Sequence, residues 1–170
     1  MVNKLLSLAL ILMVLISSCS KLEYKTDFDK SYDAWISFKS SSGNSYQYMV
    51  SSSSWSGIRA ETIITVNQGK VIQREFKLLQ NPQDGTTNYE VLDQWTEAEG
   101  SLNTHSQSAA AETVTLDEIY QKAKSEWLVK RANSTVYLET NNDGMISTCG
   151  YVEDGCADDC FRGIKIDFIR

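Results

Sequence analysis

The stretch Thr62-Ile63-Ile64-Thr65-Val66-Asn67-Gln68-Gly69-Lys70-Val71 decides the fold class. Its first five residues are β-branched, which suits a pleated, half-buried strand. Asn67 and Gly69 can take positive backbone angles, the chemistry of a tight hairpin, and a third strand then runs through Phe76 and Leu78. Upstream, Tyr46, Tyr48 and Val50 alternate with more polar neighbours as a first strand, and Ser51 to Gly57 form its loop. Before that strand, Phe28, Tyr32, Trp35 and Ile36 share one face of a helix. Thr26 or Asp27 would cap its start, and Ser40-Ser41-Ser42-Gly43-Asn44 would end it.

Downstream, residues 81–112 lose periodicity, and Pro82, Gly85, Gly100 and Ala109-Ala110-Ala111 mark an irregular excursion, with Tyr89 and Trp95 as packing points. Thr115-Leu116-Asp117-Glu118 is a capping box, and Leu116, Ile119, Tyr120, Ala123 and Trp127 form the buried stripe of the helix it starts. Strands follow over Thr135 to Glu139 and Met145 to Cys149, joined by Asn141-Asn142-Asp143-Gly144. A last strand places Ile164, Ile166 and Phe168 on one face. Hairpin-length connections cannot join parallel neighbours, so the expected fold is α+β: a single antiparallel sheet with two helices packed on one face, in the order helix, strands, helix, strands. Hydrophobic residues at 42% and aromatic residues at 10% exclude a disordered chain and supply one core.

The N-terminus reads as an export signal over residues 1–18. Lys4 is its positive region, and Leu5 to Ile16 form an apolar run too short to span a bilayer comfortably. Ile16-Ser17-Ser18-Cys19 has the pattern of a bacterial lipobox. Acylation of Cys19 is therefore expected, with residues 19–25 as a lipidated tether, 26–170 as one domain, and the membrane as a partner through that lipid. Cys19 is followed by Ser20 and not aspartate, which by enteric-type sorting places the protein at the outer membrane, facing the periplasm. Cleavage removes Lys4 and no acid, and the formal net charge of −6 becomes −7 in the mature chain. Clustered cations are absent from the sequence pattern, so nucleic acid is excluded as a partner and anionic lipid is disfavoured.

Three stretches resemble a family of bacterial lipoprotein domains without an established activity. They are the Trp35-ended helix leading to Tyr46-Gln47-Tyr48, the hairpin Thr65 to Val71, and Gly150-Tyr151 followed by Ala157-Asp158-Asp159. The last stretch is similar to that family's Gly-Tyr-Pro and Asp-Asp positions, with Val152 replacing the proline and Cys149, Cys156 and Cys160 as additions. The resemblance implies fold and export and assigns no catalyst.

Residues 149–160 hold three thiols and four carboxylates. In an oxidising compartment a disulfide is the expected use, Cys149 with Cys160 or Cys149 with Cys156, leaving one thiol over. A Cys3His zinc shell would need His105, but C-x6-C-x3-C is not a common zinc spacing. Glu153, Asp154, Asp158 and Asp159 lack the alternation of a calcium loop. His105, the only histidine, sits in a polar stretch with no framework for a triad, and no Gly-rich phosphate loop follows a strand. No cofactor and no catalytic residue is assigned. Trp55, in a Ser-rich loop tip, is the candidate contact for a protein or glycan partner. The expected role is a non-catalytic binding or envelope-assembly lipoprotein. The alternative is a thiol-redox or metal-binding one centred on Cys149 to Cys160.

Overall fold

The computed structural model describes residues 22–82, 89–105, 109–158 and 160–170. Helix α1 spans Lys25–Ser41, followed by strands β1 (Tyr46–Ser53), β2 (Ile58–Asn67), β3 (Lys70–Gln80) and β4 (Glu90–Ala98). Helix α2 (Leu116–Lys122) runs on into a π-turn over Ala123–Trp127, and β5 (Ser134–Glu139), β6 (Thr148–Glu153) and β7 (Arg162–Ile169) complete the chain. Among the described residues the strands form one antiparallel sheet in the order β4-β3-β2-β1-β7-β6-β5. The α+β class holds, with the sheet as its larger part.

The β2–β3 hairpin turns on Gln68 (φ 48°) and Gly69 (φ 80°). Asn67 is the closing pair, opposite Lys70, so the left-handed angle expected of Asn67 falls on Gln68. The second tight turn is carried by Asp143 (φ 50°) and Gly144 (φ 86°), with Asn142 bridged to Met145. Met145 and Ile146 are buried before β6 begins, and the strand runs Thr148–Glu153, later than the expected Met145 to Cys149.

Helix α1 starts at Lys25 with no side-chain cap, so neither Thr26 nor Asp27 acts as one. Its entry is fixed by tertiary pairing instead: Leu22 bridges Val129, and the Glu23 N–H donates to the Leu128 carbonyl at 2.9 Å. Leu22 and Glu23, expected within the 19–25 tether, are thus paired to the folded domain. Phe28, Ser31 and Trp35 form the buried line of α1, whereas Tyr32 and Ile36 are 42% and 41% exposed. Ser31 takes the inner position because its Oγ lies 2.8 Å from the Tyr120 hydroxyl.

The core is an aromatic layer between helices and sheet. Trp35 stacks on Tyr120 at 6.2 Å between ring centroids and meets Tyr46 edge-on at 5.2 Å. Three buried tyrosines spend their hydroxyls on backbone groups. Tyr46 Oη accepts the Leu116 N–H, Tyr48 donates to the Val114 carbonyl, and Tyr120 donates to the Ser31 carbonyl while accepting the Ile146 N–H. Burial raises the pKa of all three, Tyr46 to about 12. Thr115 and Glu118 form the expected capping box, and all five residues of the expected α2 stripe are buried.

Two elements depart from the sequence reading. The 81–112 excursion contains β4, paired along β3 from Gln73–Ala98 to Gln80–Glu90. As an edge strand its one fully buried residue is Glu97, so no apolar alternation betrays it. In β7 the register against β1 shifts between Met49 and Val50, so Ile164, Ile166 and Ile169 pack on the core and Phe168, opposite Met49, does not.

Gly150 of β6 faces Gly163 of β7, and a Cβ at Gly150 would lie 2.5 Å from the Arg162 carbonyl oxygen and 2.6 Å from Phe161 Cζ. Gly150→Ala is expected to cost about 1–3 kcal/mol. Urea unfolding measures it, and an unchanged midpoint would contradict this close strand approach.

Candidate functional site

The sheet opens where its two halves meet. β1 pairs with β7 only from Tyr48–Ile169 to Val50–Ile166. Beyond Val50 the pairing stops, although β1 continues through Ser53 against β2 and β7 begins at Arg162 against β6. A cleft of about 590 Å3 fills this fork, lined by Val50, the serines Ser51 to Ser54, Ile58, Gly163, Ile164 and Lys165, and also by Ala109, Cys160 and Phe161. A second hollow of about 370 Å3 shares Val50, Gly163 and Ile164 and continues under α2 to Ile119, Lys122 and Trp127. In an antiparallel sheet alternate residues aim their N–H and C=O at each neighbour, so the fork leaves backbone donors and acceptors of both strands facing the cleft. On the other sheet face, Ser51 Oγ donates to Asp167 at 2.7 Å and Arg59 bonds Asp167 and Glu61, holding β1 and β7 together at the base of the fork.

Trp55 lies in the turn between Ser54 and Gly57, which is closed by the Ser54 N–H on the Ile58 carbonyl at 2.9 Å. It is 83% exposed, and its flanking residues Ser54 and Ile58 both line the cleft. The residue named from the sequence as a partner contact thus sits in a turn whose neighbouring residues line the cleft.

The cysteines pair differently from either expected arrangement. Cys156 and Cys160 form a disulfide across the β6–β7 connection, with Cα atoms 6.0 Å apart. Cys149 is a free, fully buried thiol in β6, opposite Leu138 and Ile164 in the core. Its side chain points inward while the other two sit in the loop beyond the strand end, which is why it joins neither. Burial pushes the Cys149 thiol up to about 12, the reverse of what a reactive thiolate needs. No cluster of three or more metal-ligating side chains occurs among the described residues. Asp159 and Cys19 lie outside those residues. Among the described helices none is long and apolar enough to cross a membrane.

One node escaped the sequence reading. Arg74 of β3 and Glu97 of β4 form a buried ion pair, with Nε to Oε2 at 2.9 Å. Glu97 also accepts the N–H groups of Asn103 and His105, at 2.8 and 2.6 Å, and the Thr104 hydroxyl. Arg74 donates onward to the carbonyls of His105 and Ala111. His105 is a loop histidine whose side chain is 47% exposed, and it stacks flat on Trp95 at 4.5 Å between ring centroids, with Nδ1 3.2 Å from Glu97. The node, with Thr62 Oγ1 accepting the Ala111 N–H, fastens the segment after β4 over the sheet and so fixes Ala109 beside the cleft and Ala111 beside the second hollow. A charge inside an edge strand follows no hydrophobic period, so the sequence carried no signal for it.

No family model matches this chain, and no curated protein or solved structure is significantly similar to it.

Burial alone would raise the Glu97 carboxyl, but the N–H groups of His105 and Asn103, the His105 ring and the Thr104 hydroxyl outweigh it and hold the pKa at about 2. A depressed carboxyl stabilises the fold fully above its unfolded value near 4.5 and loses that contribution as pH falls towards 2. Glu97→Gln should cost about 3–5 kcal/mol at neutral pH by leaving Arg74 unpaired, and should flatten the stability loss between those two pH values. Denaturation midpoints of both proteins across that range test this. For the cysteines, the chain from Ser20 onward, folded under oxidising conditions, should have a mass two units light, as one disulfide requires. Its one remaining thiol should alkylate only after denaturation.

Proposed function

We propose that this protein is a lipid-anchored, non-catalytic binding module of the bacterial cell envelope, held by acyl chains on Cys19 and binding its ligand in the β1–β7 fork. The observation that carries the binding reading is the fork itself, a cleft with unpaired strand edges and serines in its lining, next to the turn that carries the 83% exposed Trp55. A flat aromatic beside hydroxyls and backbone amides suits a neutral saccharide, whose rings stack on indole while its hydroxyls trade hydrogen bonds. A net charge of −7 on the mature chain argues against polyanionic ligands.

The lipobox Ile16 to Cys19 supports the anchor, and Ser20 after it supports sorting to the outer membrane with the domain facing the periplasm. Kinship with the lipoprotein-domain family belongs to the same proposal, supported by the helix, hairpin and Gly150-Tyr151 stretches. In this arrangement α1, α2 and the segment after β4 roof one sheet face, and the opposite face carries polar pairs such as Gln47 with Thr65 and Arg59 with Asp167. In this reading His105, held on Glu97 and Trp95, serves to fasten the segment after β4. The thiol-redox alternative has less support because Cys149 is buried and Cys156 is bonded to Cys160.

Titration of the 15N-labelled domain with neutral glucose- and N-acetylglucosamine-based oligosaccharides tests the proposal. Binding should shift the amides of Ser51 to Ser54 and Gly163 and the Trp55 indole, and Trp55→Ala should weaken it by about tenfold or more. Binding that leaves these signals in place would move the site elsewhere, and no binding across the panel would refute the saccharide reading.

A further inference from the structure

We infer that the ligand of the fork is an amphiphile, a neutral saccharide carrying an alkyl or acyl chain, and that the second hollow, under α2, holds the chain. The inference rests on the saccharide reading of the fork and deepens it, by assigning a site to the part of the ligand that the fork does not hold.

Continuity is the first observation. The cleft and the hollow share Val50, Gly163 and Ile164, so the two adjoin where the β1–β7 pairing ends. Strand β1 fixes their order: the Trp55 turn comes first, then Ser54 back to Ser51, then Val50, which borders both. At about 3.3 Å per residue, Ser53 and Val50 stand roughly 10 Å apart. A ligand lying along this strand edge with its sugar at the serines therefore presents its other end to the hollow.

The second observation is the difference in what the two hollows offer. In the cleft, Ser52 and Ser53 are exposed, and the strand edges of the fork leave backbone groups unpaired. In the hollow, the polar side chains of the lining are already engaged. Tyr48 donates its hydroxyl to the Val114 carbonyl, Glu118 caps α2 through Thr115, and Lys122 stands 3.5 Å from Glu112. What remains is apolar: Val50, Val114 and Ile164 are only half-buried, and Ile119 and Trp127 complete the lining. A polar ligand would lose its hydration there without finding a free side-chain partner, whereas a hydrocarbon chain gains by taking the same surface out of water. The volume of about 370 Å3 falls within the range of small-ligand pockets, about 300–1,000 Å3.

The test uses the chain from Ser20 onward, which includes every described residue, with 15N and methyl 13C labels. It is titrated with methyl, butyl and hexyl maltosides, each kept below its micelle-forming concentration. Every added methylene should tighten binding about two- to fourfold. Protons of the hexyl chain should give nuclear Overhauser contacts to the methyls of Val114 and Ile164, while the sugar shifts the Trp55 indole. Equal affinity of the methyl and hexyl glycosides, with the Trp55 and Ser51 to Ser54 signals still shifting, would overturn the chain site and leave the saccharide reading standing. Chain-dependent binding that leaves the Trp55 and serine signals in place would overturn the joined site, and no binding of any of the three would overturn both readings.

Discussion

Three registered residue pairs between β1 and β7, extended by the reciprocal backbone hydrogen bonds of Gln47 and Arg170, hold the two halves of this molecule in one sheet. Strands β1 to β4 form a continuous meander, β5 to β7 form another, and the joint between them runs from Tyr48–Ile169 to Val50–Ile166. The joint is short because β7 bulges there, and its shortness produces the fork. Had the pairing continued, Ser51 to Ser53 would have met Gly163 to Lys165 and no cleft would exist. The salt-linked group of Arg59, Glu61 and Asp167, with Ser51, holds the joint at the point where backbone pairing gives out.

The helix layer depends on this joint in turn. Trp35, Tyr46, Tyr48 and Tyr120 come from α1, β1 and α2, and their stacking places each hydroxyl or indole N–H against a group on another element. Trp35 Nε1 donates to Asp117 at 2.9 Å, and Lys39 closes on the same carboxylate. A buried aromatic with a satisfied polar end contributes both area and orientation, so the layer fixes where α2 begins and hence where the second hollow ends.

The far half of the sheet is covered by chemistry of another kind. There the segment after β4 is fastened by Arg74 and Glu97, an ion pair whose burial is offset by the N–H groups of Asn103 and His105 on the carboxylate and the carbonyls of His105 and Ala111 on the guanidinium. That polar clamp places one wall of the cleft, and the disulfide loop from Cys156 to Cys160 places another. Both lie outside regular secondary structure, where walls of a binding site commonly come from loops on a rigid sheet.

Local chemistry made much of the fold legible before any tertiary contact. The Thr115–Glu118 capping box, the Gly69 and Gly144 turns and the β-branched run of β2 each follow from backbone preferences that neighbouring residues impose on one another. Trp55 was legible for the same reason, as a lone aromatic in a serine turn with nothing local to cover it. The partner of each cysteine, the burial of Ser31 in place of Tyr32, the strand character of residues 90–98 and the Arg74–Glu97 node were not. Each depends on what stands opposite in space: Tyr120 for Ser31, β3 for the edge strand, the inward face of β6 for Cys149. The cleft belongs wholly to this second group, since it is made by the place where two strands far apart in the sequence cease to pair, after Val50–Ile166, and no local preference encodes where a long-range ladder ends.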